Sequence, residues 1–141
     1  IYFNHYAAFV LSNRSSLTLG WDIGFQENPL NVNETLIWNG LIGLYRYQLK
    51  PGKWSASFRY ERFIDNKNVL FGIGSPQPAN FNVHHTSANI DWQPLKGLLL
   101  RAEANYKHAP VPVFYKGTAL VANQFGAFFI ASYNFQYSKK R

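Results

Sequence analysis

Cysteine and methionine are both absent, and only seven of the 141 residues are acidic. Without cysteine there is no disulfide framework, no thiolate nucleophile and no cysteine-ligated metal, which suits an oxidising envelope compartment. No apolar run reaches the roughly 18 residues that a membrane-crossing helix needs. No signal peptide precedes Ile1. An exported protein carries one, so the chain reads either as a mature protein or as a piece of something longer. Charged residues make up 15% of the chain, well below ordinary usage. The formal net charge is nevertheless +7. Lysine and arginine are scattered over turns, loops, strands and the tail Lys139, Lys140, Arg141. That spread argues against a nucleic-acid surface, and it fits solvated ends attracted to anionic lipid headgroups.

What the chain has instead is aromatics, 18% of residues, set out in alternating stripes. Leu17, Leu19, Trp21, Ile23 and Phe25 alternate with Thr18, Gly20, Asp22, Gly24 and Gln26. Trp54, Ala56, Phe58 and Tyr60 alternate with Ser55, Ser57, Arg59 and Glu61. Leu98, Leu100, Ala102, Ala104 and Tyr106 alternate with polar residues that include Arg101, Glu103 and Lys107. Side chains on a strand point to opposite faces with period two, so each stretch has one apolar and one wet face. Repeated stripes with aromatics near their ends predict an all-β fold, an antiparallel up-and-down transmembrane β-barrel in the bacterial outer membrane. The 141 residues form a single domain or part of one.

Seven strands are expected, over residues 2–12, 17–26, 35–49, 54–64, 83–93, 98–107 and 123–137. The connections 13–16, 50–53 and 94–97 are short; 27–34, 65–82 and 108–122 are long. Short turns on one rim and long loops on the other are the asymmetry of transmembrane barrels. Two prolines argue against a paired strand in 109–114. Strand 35–49 is apolar on both faces, with Gly40 or Gly43 as candidate bulges, and strand 2–12 does not reveal which face meets lipid. First and last strands run the same way, so closing seven strands would need a parallel seam. The expectation is therefore the C-terminal part of a larger barrel of about 12 to 16 strands, with a complete eight-stranded barrel as the alternative.

Several stretches resemble the OmpL-like β-barrel porins of Bacteroidota. They are Tyr45-Arg46-Tyr47, Lys53-Trp54-Ser55, Arg59-Tyr60-Glu61-Arg62-Phe63-Ile64-Asp65, Asn89-Ile90-Asp91-Trp92-Gln93-Pro94 and Leu99-Leu100-Arg101-Ala102-Glu103. The likeness covers about the C-terminal hundred residues. It implies an outer-membrane barrel that passes small solutes. The aromatic last strand also resembles the insertion signal of outer-membrane barrels, although Ser138, Lys139, Lys140 and Arg141 follow it.

The wet stripes supply the candidate lumen-lining residues Asp22, Arg59, Glu61, His85, Asn89, Asp91, Arg101 and Glu103. They make either a pore lining whose field biases the passing solutes or a ladder of mutually satisfied ion pairs. The candidate lipid-facing girdle is Trp21, Trp54, Tyr60, Trp92, Tyr106, Phe129, Tyr133 and Phe135. His84 and His85 point to opposite faces and cannot chelate one ion, so no metal and no cofactor is expected. Ser87 and His85 stand side by side rather than as nucleophile and base, and no enzyme is expected. Gly72 and Gly74 lack the third glycine and following helix of a phosphate loop. The sequons at Asn13 and Asn33 are read as chance. Loop 65–82, with Phe71, Pro76, Pro78 and Phe81, is either a lumen constriction, a partner surface or a mobile loop.

Three functions compete. The first is a passive diffusion channel. The second is a non-conducting barrel acting as scaffold or accessory subunit, with other outer-membrane proteins as partners. The third is a soluble lipid-binding barrel with the apolar stripe inside. The membrane readings place outer-membrane lipid and lipopolysaccharide against the apolar stripe.

Overall fold

The computed structural model describes residues 1–28, 31–70 and 81–135. Nine strands follow in order: β1 (Tyr2–Ser12), β2 (Ser15–Asn28), β3 (Asn31–Lys50), β4 (Trp54–Asp65), β5 (Phe81–Leu95), β6 (Leu98–His108), β7 (Phe114–Lys116), β8 (Ala119–Val121) and β9 (Asn123–Tyr133). Seven of them form one antiparallel sheet in the order β1-β2-β3-β4-β5-β6-β9; β7 and β8 make a separate small hairpin. The main sheet is open, with β1 and β9 at its edges.

The short connections behave as their residues dictate. Gly52 and Gly97 take positive φ, 71° and 88°, where a side chain would be strained. The turns are also staggered. Ser15 begins β2 in the row of Tyr47 and Ala56, whereas Trp54 begins β4 two residues further toward the turns. Leu98 begins β6 two residues beyond Leu100, which shares the row of Trp54 and Trp92. One residue of stagger per strand is the shear that tilts barrel strands by about 36°. The open sheet therefore already has the slant of a barrel wall.

Pairing settles the faces, because partners across an antiparallel ladder point the same way. In β1, Phe3, His5, Ala7 and Phe9 lie opposite Ile23, Trp21, Leu19 and Leu17, on the apolar face. Tyr2, Asn4 and Tyr6 lie on the polar face, opposite Gly24, Asp22 and Gly20. In β3 the ladder runs unbroken past Gly40 and Gly43, so neither is a bulge. Irregularities fall near the strand ends, at Glu27/Asn28 and Gln48/Lys50.

Two expectations are corrected. Residues 27–34 are not a long loop: β2 and β3 extend until Asn28 meets Asn31. The strands outrun the apolar band there: apart from Val32 their end residues are polar, and the alternation that marks a strand disappears. Within 108–122 the prolines precede a short hairpin, β7–β8, that begins at Phe114. Val83, Ala109 and Val113 form a small buried cluster beneath it, with Phe81, Val111 and Phe114 packed alongside. Asp65 opens the long loop and is fully buried. Its carboxylate accepts from the backbone N–H groups of Val69 (2.7 Å) and Leu70 (2.9 Å). Phe71, Gly72, Gly74, Pro76 and Pro78, the end of the last predicted strand at Tyr137, and the basic tail lie outside the described residues.

Exposure is inverted relative to a soluble protein. Phe58, Ile90, Phe125 and Phe129 are exposed on the apolar face, whereas Ser55, Ser87 and Asp91 are buried on the polar one. A soluble barrel shelters its apolar stripe instead.

Candidate functional site

The polar face of β4, β5 and β6 is where the sequence-predicted charges meet. Register places Ser55, Ser57, Arg59 and Glu61 opposite Asp91, Asn89, Ser87 and His85. The same residues of β5 face Arg101, Glu103, Asn105 and Lys107 of β6. Each charge thus has neighbours across two ladders, which alternation alone cannot reveal.

Asp91 is the hub, with its side chain only 4% exposed. Arg101 grips it as a fork: Nε donates to Oδ1 at 2.7 Å and Nη2 to Oδ2 at 3.1 Å. Two parallel bonds fix the guanidinium as well as neutralise it. Asn89 Nδ2 donates to Oδ1 at 2.9 Å. Arg46 approaches Oδ2 at 4.0 Å and donates to Ser55 Oγ at 3.1 Å. Glu103 lies 3.9 Å from Arg101 Nη1. A buried carboxylate is tolerable because these donors replace the water it lost.

Glu61 organises a second group nearer the long-loop rim. His85 Nδ1 sits 2.8 Å from Oε2, and Arg59 Nη1 sits 3.5 Å from Oε1. His85 Nε2 is buried with no hydrogen-bond partner among the described residues. His85 therefore serves Glu61 rather than Ser87.

Asp22, the remaining lumen candidate, forms no ion pair with either group among the described residues. It accepts from Tyr2 Oη at 3.1 Å and from Asn4 Nδ2. Its surroundings on β1 to β4 are rings rather than charges: Tyr2 stacks on Trp38 at 5.5 Å, Trp38 meets Phe63 at 6.0 Å, and Phe63 meets Phe81 edge-on at 6.0 Å. Gly20 and Gly24 make room for them. A Cβ on Gly20 would stand 2.5 Å from the Tyr6 ring, and one on Gly24 would strike the Trp38 ring.

The girdle candidates Trp21, Trp54, Tyr60, Trp92, Tyr106, Phe129 and Tyr133 share the apolar face by register. Trp54 and Trp92 stack at 5.4 Å with planes 10° apart, at the short-turn rim. Phe135 follows β9 and packs edge-on against Tyr133 at 4.5 Å.

Sequence reasoning missed Arg46, Tyr6 and Trp38 as residues of this face. Arg46 was hidden because β3 is apolar on both faces. Counting back through the tight turn at Gly52 to its partner Ser57 would have found it. The stripe through Phe125 and Phe129 leaves Phe128 and Ile130 on the polar face, opposite Glu103 and Arg101.

No curated protein and no solved structure matches the chain. The model of the family described as putative beta-barrel porin-2, OmpL-like, matches residues 1–136, and the protein belongs to that family.

Proposed function

We propose that the protein forms a pore in the bacterial outer membrane through which small solutes diffuse passively. One observation carries this reading. The polar face bears Arg46, Arg59, Glu61, His85, Asp91, Arg101 and Glu103 and buries Ser55, Ser87 and Asp91, while the apolar face exposes Phe58, Ile90, Phe125 and Phe129. The polar face then lines water, and the apolar face meets lipid. Short turns face the periplasm and long loops the exterior. Both edge strands, β1 and β9, run toward the short turns. Joining them directly would make a parallel pair, so further strands, antiparallel to both edges, complete the barrel.

The test is single-channel conductance of the natively extracted, full-length protein in a planar bilayer. Stepwise openings proportional to salt are expected. A folded barrel that stays silent overturns the channel and leaves the second reading, a scaffold or accessory subunit in complex with other outer-membrane proteins. That reading draws on the apolar half of the polar face, where Tyr6, Trp38, Ile42 and Leu44 offer water little to bind.

A further inference from the structure

The apolar face is not uniformly apolar. Leu41, Arg62, His84, His108 and Asn123 are successive partners across five strands, one row on that face. The row lies near the long-loop end of β4, where Arg62 stands eight residues beyond Trp54, roughly 26 Å along the strand. The adjoining row toward the short turns contains Tyr60 and Tyr106. Aromatics followed outward by basic side chains are what the edge of a bilayer core selects.

These polar groups are tied to one another. Tyr60 Oη is 2.8 Å from His84 Nδ1, and the His84 and His108 rings lie 6.3 Å apart. His108 Nδ1 is 2.8 Å from Asn123 Oδ1, to which Tyr106 also donates at 2.7 Å. Arg62 Nε donates to Asn82 Oδ1 at 3.2 Å. No described carboxylate comes within ion-pair distance of Arg62. The chain's seven carboxylates explain why. Asp22, Glu61, Asp65, Asp91 and Glu103 are all on the polar face, and Glu34 pairs with Lys67. Glu27 lies at the far tip of β2, six residues beyond Trp21, roughly 20 Å away along the strand. Among the described residues no carboxylate faces this basic row, whose permanent charge is Arg62.

Beside it runs a groove of about 540 Å³ on the same face. Ala7, Leu19, Trp21, Leu41, Gly43 and Tyr60 line it. Gly43 is its floor, where Leu19 alone comes near the missing side chain, at 3.7 Å. Leu41 and Gly43 are the register partners of Arg62 and Tyr60, so the groove opens directly onto the basic row. An anion-seeking head joined to an apolar cleft is complementary to an amphiphile with a negative headgroup.

We propose that this surface binds one lipopolysaccharide molecule of the outer leaflet. Arg62, His84 and His108 hold a phosphate of its lipid A, and one acyl chain lies in the groove over Gly43. The inference rests on the outer-membrane barrel reading, whether or not the barrel conducts. In that orientation the long-loop rim meets the leaflet that carries lipopolysaccharide.

The test is thermal unfolding of the full-length protein in mild detergent, titrated separately with purified lipopolysaccharide, phosphatidylglycerol vesicles and inorganic phosphate. A ligand that binds the folded state raises the midpoint with concentration. Lipopolysaccharide is expected to protect the natural protein and a Lys96→Ala control at the opposite rim. In the Arg62→Ala/His84→Ala variant its apparent affinity falls by about ten-fold or more, the loss of charge-assisted hydrogen bonds. Gly43→Phe, which fills the groove and leaves the cations alone, lowers it by a smaller factor. Equal protection of the double variant overturns the site. Equal protection by inorganic phosphate makes it an ion site, and equal protection by phosphatidylglycerol makes it a general anionic-lipid surface; either overturns the assignment. Failure of the underlying reading looks different: the protein would stay soluble without detergent and show no heat-modifiable mobility.

Discussion

Across β4, β5 and β6 the polar face is held together by charge, whereas across β1, β2 and β3 it is filled by rings laid over glycine. The first region is cross-linked by ions: buried Asp91 is clasped by Arg101, and the part-exposed Glu61 by His85 and Arg59. The second covers its backbone with Tyr6 and Trp38, above Gly20 and Gly24. The two halves solve one problem in different ways. A barrel wall needs side chains that fix strand against strand without a thick core behind them. Ion pairs do so where the wall stays wet, since a bidentate pair keeps its geometry in water. Aromatic packing does so where water is displaced, and here it uses Gly20 and Gly24, where a Cβ would collide with the Tyr6 and Trp38 rings. Solute passing such a wall would meet a field on one side and a low-polarity surface on the other.

The largest test of this contrast is Asp91→Ala. It leaves Arg101 without its fork and is expected to cost about 3 kcal/mol, read as the urea midpoint for folding into lipid vesicles. If it costs no more than an exposed pair does, the charged half is not held by Asp91. Next is Gly24→Val in the aromatic half. It drives a side chain into the Trp38 ring and is expected to cost about 2 kcal/mol. Repeating it in a Trp38→Ala background should recover part of the loss, because the two changes share one site. Without such recovery the close approach is not what glycine is for.

Function gives a third, smaller effect. Glu61→Lys should shift the anion-to-cation permeability ratio about seven-fold, since roughly one kT of local potential acts in opposite directions on the two ions, read as a reversal potential across a salt gradient. The shift should vanish near 1 M salt, where charges are screened within about 3 Å. A shift of the same size from Tyr6→Phe would abolish the distinction between the halves. The smallest effect is Arg59→Ala, expected to cost about 0.5 kcal/mol. Its partner Glu61 keeps His85, and the pair is a third exposed on both sides.

The contrast was only half legible in the chain. Residues 54–61 and 98–107 alternate cleanly, so the charges within them fall on one face by sequence alone. The aromatic half was obscured where β3 carries Leu36, Trp38, Ile42 and Leu44 on the same face as Arg46 and Gln48. A strand apolar on both sides has no alternation to read, and β1 was ambiguous for the same reason. The basic row on the lipid side was invisible. Arg62, His84 and His108 are 22 and 24 residues apart in sequence and become neighbours only through two ladders.

Sequence by itself determined that this chain makes strands, that the cleanly alternating ones have a wet and a greasy side, and that Arg59, Glu61, Arg101 and Glu103 share the wet side. Those follow from a period-two geometry that every residue obeys locally. The tertiary structure decided which residues touch: Arg101 with Asp91, Tyr6 over Gly20, Arg62 beside His84. Contact across a ladder depends on register, and register is fixed by the length and stagger of the turns and by irregularities such as that at Gln48/Lys50. A shift of one residue would leave the alternation of each strand intact and exchange every partner.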